Sequence, residues 1–210
     1  MIVKRINKSK SIIQDSFKNN EVYRFDVENG VDVTIVCLLQ QSIVTTIDVR
    51  LNDNGSHANI IGIVLGDKKD NISLHTIQHH RKKDTTSRLL IKSVLKDESK
   101  FSFQGDIKVD KNAQKIDAYQ RNENLLLSKD AHVQSKPALE ILADDVRCTH
   151  GATIFSIHSE QMLYLQSRGI TKEVAQKLII EGFTKSAFDQ IADEKIKNKI
   201  FKTLYTENTI

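Results

Sequence analysis

Tryptophan is absent from this 210-residue chain, proline occurs once, at Pro137, and cysteine twice, at Cys37 and Cys148. Two cysteines cannot build a disulfide framework, so the fold must rest on its core. One proline and eight glycines exclude collagen-like and low-complexity architectures. No apolar run nears the roughly 20 residues that span a bilayer, and Met1–Lys10 lacks the apolar stretch of a signal peptide. A reducing cytoplasm is the expected compartment, with no membrane partner. Aromatics make up only 6% of the chain. The basic run His79–Lys83 therefore has no stacking platform for single-stranded nucleic acid, and it reads as a solvated turn. Glycine-rich phosphate loops are also missing, so any ATP chemistry belongs to another chain.

What is present is a long series of short strand patterns. In Ile43–Leu51, Ile43, Thr45, Ile47, Val49 and Leu51 share one face, and Thr46, Asp48 and Arg50 share the other. Val22–Val27, Val31–Val36, Ala58–Leu65, Ile72–Gln78, Arg88–Val94 and Phe101–Val109 are similar. Lys115–Tyr119, Asn124–Leu127, His132–Gln134 and Leu139–Leu142 read as shorter strands. Turn chemistry punctuates them at Glu28–Gly30, Asn52–Ser56, Gly66–Asn71 and Lys96–Lys100. Such a pattern admits a sandwich, a barrel or a β-solenoid. No strict repeat selects among them.

After Ile157 the apolar period changes from two to about 3.6. Ser159 is a candidate N-cap, Leu163 and Tyr164 candidate core contacts, and Gly169 a candidate left-handed terminator. Thr171 caps a second helix with Val174, Leu178, Ile179 and Phe183 as its apolar stripe and Gly182 near its end. A third carries Ile196, Ile200, Phe201 and Leu204. Two units follow: a β body over 1–156 and a helical unit over 157–210. Helices this short must pack on the β body or on a partner.

Just before the switch stands Cys148-Thr149-His150. Residues two apart on a strand face the same way, so thiol and imidazole emerge together. Both are metal-ligand types, but a closed site needs about four ligands. A third could come from His132, Asp144, Asp145 or another subunit. A buried cysteine beside a hydrogen-bonded histidine fits the same spacing. A Cys–His nucleophile lacks an orienting third group, so no enzyme is indicated. His75, His79 and His80 read as exposed sheet or turn residues. Glu140, Asp144 and Asp145 read as a solvated turn.

Four ordered motifs go further than spacing. Asp117–Ser128, Ser135–Ile141, Ala143–Thr153 and Leu163–Ile170, with Ala175 and Gly182-Phe183 after them, resemble the SufB/SufD family of iron–sulfur cluster assembly proteins. The match covers about Arg88 to Phe183, and the N-terminal third matches in style only. The chain is similar to the SufD branch. Asn122 stands where SufB proteins carry a functional cysteine before the Leu-Leu run, and Gly151 follows His150 where SufB has a glutamate. One departure is that SufD chains carry a longer N-terminal region with its own helices, and this chain opens on strands, a short form.

The resemblance implies a right-handed parallel β-helix followed by a small helical domain. It implies a non-catalytic scaffold that pairs with a SufB-like chain, or with itself, and docks a SufC-like ABC-type ATPase. His150, with Cys148 beside it, would sit at the inter-subunit seam. Leu163, Tyr164, Arg168, Gly169, Leu178 and Phe183 would form the ATPase-facing surface. No tightly bound cofactor is expected, only a transient iron–sulfur cluster or iron at the seam. The alternative is a structural β-helix interaction module, a homodimeric form included, without a metal role.

Overall fold

The computed structural model describes residues 1–157 and 159–205. Twelve strands come first: β1 Ile2–Ile6, β2 Lys10–Gln14, β3 Glu21–Val27, β4 Asp32–Gln40, β5 Ile43–Leu51, β6 His57–Gly66, β7 Asn71–His80, β8 Thr86–Leu95, β9 Lys100–Val109, β10 Ile116–Leu126, β11 His132–Ile141 and β12 Val146–Ser156. Three helices follow: α1 Ser159–Ser167, α2 Lys172–Phe188 and α3 Glu194–Tyr205. The odd strands form one six-stranded sheet and the even strands the other, each in sequence order. Every pairing is parallel. The chain is therefore a β-solenoid with two strands per coil, the architecture that the family resemblance implied and periodicity alone left open.

The register explains why no repeat shows in the sequence. Ile2 pairs with Tyr23, Tyr23 with Ile47, Ile47 with Thr76, Thr76 with Gly105, and Gly105 with Pro137. The coil lengthens from 21 to 32 residues along the chain. Corners are turned mostly without glycine: Asn20, Asn29, Lys68, Asp84, Asp97 and Lys115 hold left-handed backbone. Stacked corners bond to one another, as when Lys68 N donates to Asp97 Oδ2 at 3.2 Å. These side chains tolerate positive φ at some cost, and the bonds between corners offset it.

Two cores divide the apolar residues. Tyr23, Phe25, Ile35, Ile47, Ile60 and Phe103 fill the space between the sheets. Val36, Leu38, Ile61, Ile63, Leu90 and Leu125 point outward from the even sheet, under Ile180, Ala187, Phe188, Ile191 and Ile200 of the helical region. The unbroken run Ile60-Ile61-Gly62-Ile63-Val64-Leu65 serves both, as expected of a strand covered on each face. The helices thus pack on the β body. Among the described residues, no helix is long and apolar enough to cross a membrane.

Several sequence expectations need correction. Two expected short strands, Lys115–Tyr119 and Asn124–Leu127, are one strand, β10. His132–Gln134 and Leu139–Leu142 are likewise bridged by β11 through Ser135-Lys136-Pro137. Pro137 is accommodated because β11 is an edge strand. Helix α2 does not stop near Gly182; it runs to Phe188, capped by Thr171. Its buried face is Ala175, Ile180, Thr184, Ala187 and Phe188, while Val174 and Leu178 are exposed. Leu163 and Tyr164 are not core residues, being 68% and 60% exposed. Phe201 is exposed too, whereas Ile200 is buried. Gly169 does end α1 with φ +81°. The capping role of Ser159 and the core role of Leu204 lie outside the described side chains.

Candidate functional site at the open end of the solenoid

Strands β11 and β12 form the last coil, and among the described residues neither has a further strand stacked on it. Their inward faces, which in earlier coils are covered, are left open. Leu139 is 41% and Ile154 54% exposed, and Ile141 is exposed beside them. Alternation along β12 puts Cys148, His150, Ala152 and Ile154 on this inward face. Cys148 packs partly against a small apolar cluster that includes Ala118, Ile116 and Ile107, and His150 is exposed. The thiol and imidazole thus share one face, as their spacing required.

Register ties this pair to the coil beneath. Cys148 pairs with Ala118, His150 with Gln120, and Ala152 with Asn122. The inward side chains of β10 are polar and buried: Gln120, Asn122 and Asn124. Gln120 Nε2 crosses to Gly105 O on the other sheet at 3.3 Å. An added Cβ at Gly105 would stand 2.3 Å from that nitrogen, so only glycine permits the crossing. Asn124 Nδ2 donates to Asn122 Oδ1 at 2.8 Å and to Thr153 O at 3.1 Å. Ser93 Oγ donates to Asn124 Oδ1 at 2.7 Å. Asn122 is therefore held inside the coil by Asn124.

Electrostatics set the state of the thiol. Half-burial pushes Cys148 above the ordinary thiol range, and the negative field of Asp117 adds to it, against a backbone hydrogen bond at Ala118. At neutral pH it stands as a thiol, and ligation would require it to lose that proton. Among the described residues, no three His, Cys, Asp or Glu side chains converge as a metal site. His132, Asp144 and Asp145 do not complete one with Cys148 and His150. The Asp145 backbone instead secures the corner, with Asp145 N donating to Gln114 Oε1 at 2.9 Å.

The other expected candidates fall elsewhere. His80 is fully buried, contrary to the exposed reading. Its ring nitrogens meet Thr85 Oγ1 at 2.7 Å and Ser87 Oγ at 2.8 Å. His75 and His79 lie on the outer face, paired with Asp106 and Asp110 at 2.8 and 2.9 Å. Leu163, Tyr164 and Arg168 are exposed on α1 and at its end, with the Arg168 guanidinium 5.4 Å from the Tyr164 ring centre. Leu178 lines a groove of about 590 Å³ between α2 and α3, with Phe188, Phe201, Glu181 and Lys197. Phe183 is engaged within the chain, by Phe155 and Lys92.

A family model described as SUF system FeS cluster assembly, SufBD core domain, matches residues 16–183. The chain belongs to the SufB/SufD family. It is similar to the iron–sulfur cluster assembly protein SufD of Escherichia coli strain K12, 38% identical over 151 residues, covering 72% of this chain and 36% of that protein. The Bacillus subtilis SufD is 30% identical over 155 residues, covering 74% and 36%. The Plasmodium falciparum SufD is 28% identical over 190 residues, covering 87% and 13%. The chain is SufD-like and spans about a third of the length of these bacterial relatives. The SufBD core reaches back to residue 16, well beyond the Arg88–Phe183 region that the resemblance covered.

Sequence reading passed over Lys92 and Glu123. Glu123, in the polar run Arg121-Asn122-Glu123-Asn124, gave no signal, and the one available was a lysine closing the apolar run Leu89-Leu90-Ile91-Lys92. Such a charge, if buried, requires a partner.

Proposed function

We propose that this chain is a scaffold subunit of an iron–sulfur cluster assembly complex, without catalysis of its own. The observation that carries the reading is the open last coil. It leaves apolar Leu139, Ile141 and Ile154 and the Cys148–His150 pair uncovered on a SufBD core. A second β-helix of the same family, SufB-like, covers that face. The new interface brings the ligands that Cys148 and His150 lack, so iron or a nascent cluster is bound there as cargo. His150 supplies an imidazole. Cys148 contributes once a partner cation or metal draws off its proton.

The helical region is the second contact. The groove between α2 and α3, with exposed Leu178 and Phe201 among Glu181, Lys185, Glu194 and Lys197, offers an apolar floor with charges of both signs around it. An ABC-type ATPase docks there and on Leu163, Tyr164, Arg168 and Gly169. ATP-driven closure of that partner moves the helices against the solenoid and remodels the seam.

Reconstitution with a SufB-like chain and the ATPase tests this. His150→Ala should lower cluster formation roughly 10-fold or more, as loss of a metal ligand or its support does, while complex formation persists. Full cluster formation by this variant overturns the metal role and leaves the structural module. Failure of the wild-type chain to bind either partner overturns the scaffold itself.

A further inference from the structure

Lys92 and Glu123 are an ion pair buried on the outer face of the even sheet, where no role in the seam or the groove has been given to them. The two residues are 4% and 5% exposed. They are register partners on β8 and β10, and Lys92 Nζ donates to Glu123 Oε2 at 2.5 Å. The same ammonium donates to the backbone oxygen of Phe183 in α2 at 2.6 Å and lies 4.3 Å from the centre of the Phe183 ring. That ring meets Phe155 of β12 edge-to-face, with centres 6.0 Å apart. The other oxygen of Glu123 pairs with the half-exposed Arg121. One helical residue, Phe183, thus touches β8 and β12 directly and β10 through the ammonium.

An apolar side chain at position 92 would cover the sheet equally well, and a buried ion pair adds little net stability over such a replacement. What it adds is direction: an ammonium bonded to one carbonyl oxygen and one carboxylate fixes where α2 sits, to within hydrogen-bond tolerance. Glu123 lies between Asn122 and Asn124 on β10, and Asn124 holds Thr153 O on β12, three residues from His150. The path from helix to seam is short and made of hydrogen bonds and one ring contact.

We propose that the Lys92–Glu123 pair, closed by Phe183, is a latch that couples the position of α2 to the β10–β12 strand pair carrying Cys148 and His150. The latch rests on the reading above in one respect, that a partner moves the helices. When α2 is displaced, Lys92 loses the Phe183 oxygen and ring. The carboxylate then redistributes between Lys92 and Arg121, and β12 loses the Phe155 contact. The open end senses the helical region without any ligand passing between them.

The test uses the chain alone, so it stands or falls apart from cluster assembly. Glu123→Gln keeps the shape and removes the charge. Amide exchange should rise in α2 by roughly tenfold or more, as for a local opening that has lost its anchor. The His150 imidazole resonances should shift with it. Ile200→Val serves as the control: it loosens α3 on the same sheet and should leave His150 unmoved. Unchanged α2 exchange in Glu123→Gln overturns the latch. Faster α2 exchange with His150 unmoved, as in the control, makes the pair a packing contact only and also overturns it. Should Glu123→Gln not fold, Phe183→Leu keeps the ion pair and removes the ring. The same two readouts then decide, with a shifted His150 expected and an unmoved one contrary to the proposal.

Discussion

The two ends of the solenoid interior are built from different material. Between β3 and β6 the inward side chains are Tyr23, Phe25, Ile35, Ile47, Val49 and Ile60. Between β7 and β10 the same rows include Gln78, His80, Ser87, Ser93, Gln120, Asn122 and Asn124, all buried. The first half is held by apolar burial. The second spends hydrogen bonds across the sheets, such as Gln78 Nε2 to Ser87 Oγ at 2.7 Å, to stay closed under the open coil that carries Cys148 and His150. Apolar packing is tolerant of shape, whereas hydrogen-bonded amides specify one arrangement. The polar half therefore fixes register where register places the candidate ligands, and the apolar half supplies the stability.

The sharpest test of that contrast is a pair of truncations. Phe25→Ala should cost about 3–5 kcal/mol in urea unfolding, since it empties a fully buried site. Asn124→Ala should cost less, about 1–3 kcal/mol, because it strands Thr153 O, Asn122 and Ser93 without a partner. It should nevertheless shift the β12 amide resonances, which Phe25→Ala leaves in place. If Asn124→Ala costs more than Phe25→Ala, or leaves β12 unmoved, the division of labour fails.

How far the sequence revealed this architecture depended on the element. Ile43–Leu51 alternates from Ile47 to Leu51 and matches β5 in its bounds. Strand β10 does not alternate by hydrophobicity, because Gln120, Asn122 and Asn124 take inward positions, stacked on Leu89, Ile91 and Ser93 of β8. Apart from the Asn122–Asn124 pair itself, their partners Gly105, Ser93 and Thr153 lie on other strands, so little local marks the strand. The same holds for His80. It sits in a basic run that reads as a turn, yet its ring is satisfied by Thr85 and Ser87. The solenoid was legible only through family motifs, because coil length changes and the corners use Asn, Asp and Lys where glycine would have marked them. The rotated buried face of α2 was missed because the sheet beneath it, and not its own stripe, decides what is covered. For the site, Cys148 and His150 were legible as a pair from spacing, and their open setting was not. That depends on β12 being the last strand of its sheet.

His80 offers a test of intermediate size. Burial, with the positive fields of His79 and Arg88, depresses its pKa from 6.5 to about 3. Above pH 6.5 the ring is neutral in both folded and unfolded chains. Below it, the unfolded chain binds a proton that the folded chain refuses, so stability falls as pH falls toward 3. The loss approaches about 1.4 kcal/mol per pH unit for one group. Between pH 6.5 and 5, urea unfolding should lose about 1–2 kcal/mol. His80→Gln should flatten that slope even if it lowers stability at pH 7. A slope that survives the substitution would assign the acid sensitivity to other groups.

The smallest effect separates the two cysteines, one in each half. Cys37 lies on the apolar side, and full burial pushes its thiol up to about 12. Cys148 is only half-buried, raised by that burial and by Asp117. A maleimide reagent should modify Cys148 in the folded chain and spare Cys37 until unfolding. The labelling rate of Cys148 should still climb with pH where an ordinary thiol has levelled off. Asp117→Asn removes the negative field and should speed labelling of Cys148 at pH 7 by about two- to fivefold, the range of a partly exposed charge interaction. Cys37 should not respond. Equal labelling of both thiols in the native chain would mean that the apolar half opens as readily as the polar end. The contrast between a closed, stabilising half and an accessible, ligand-presenting end would then have no basis.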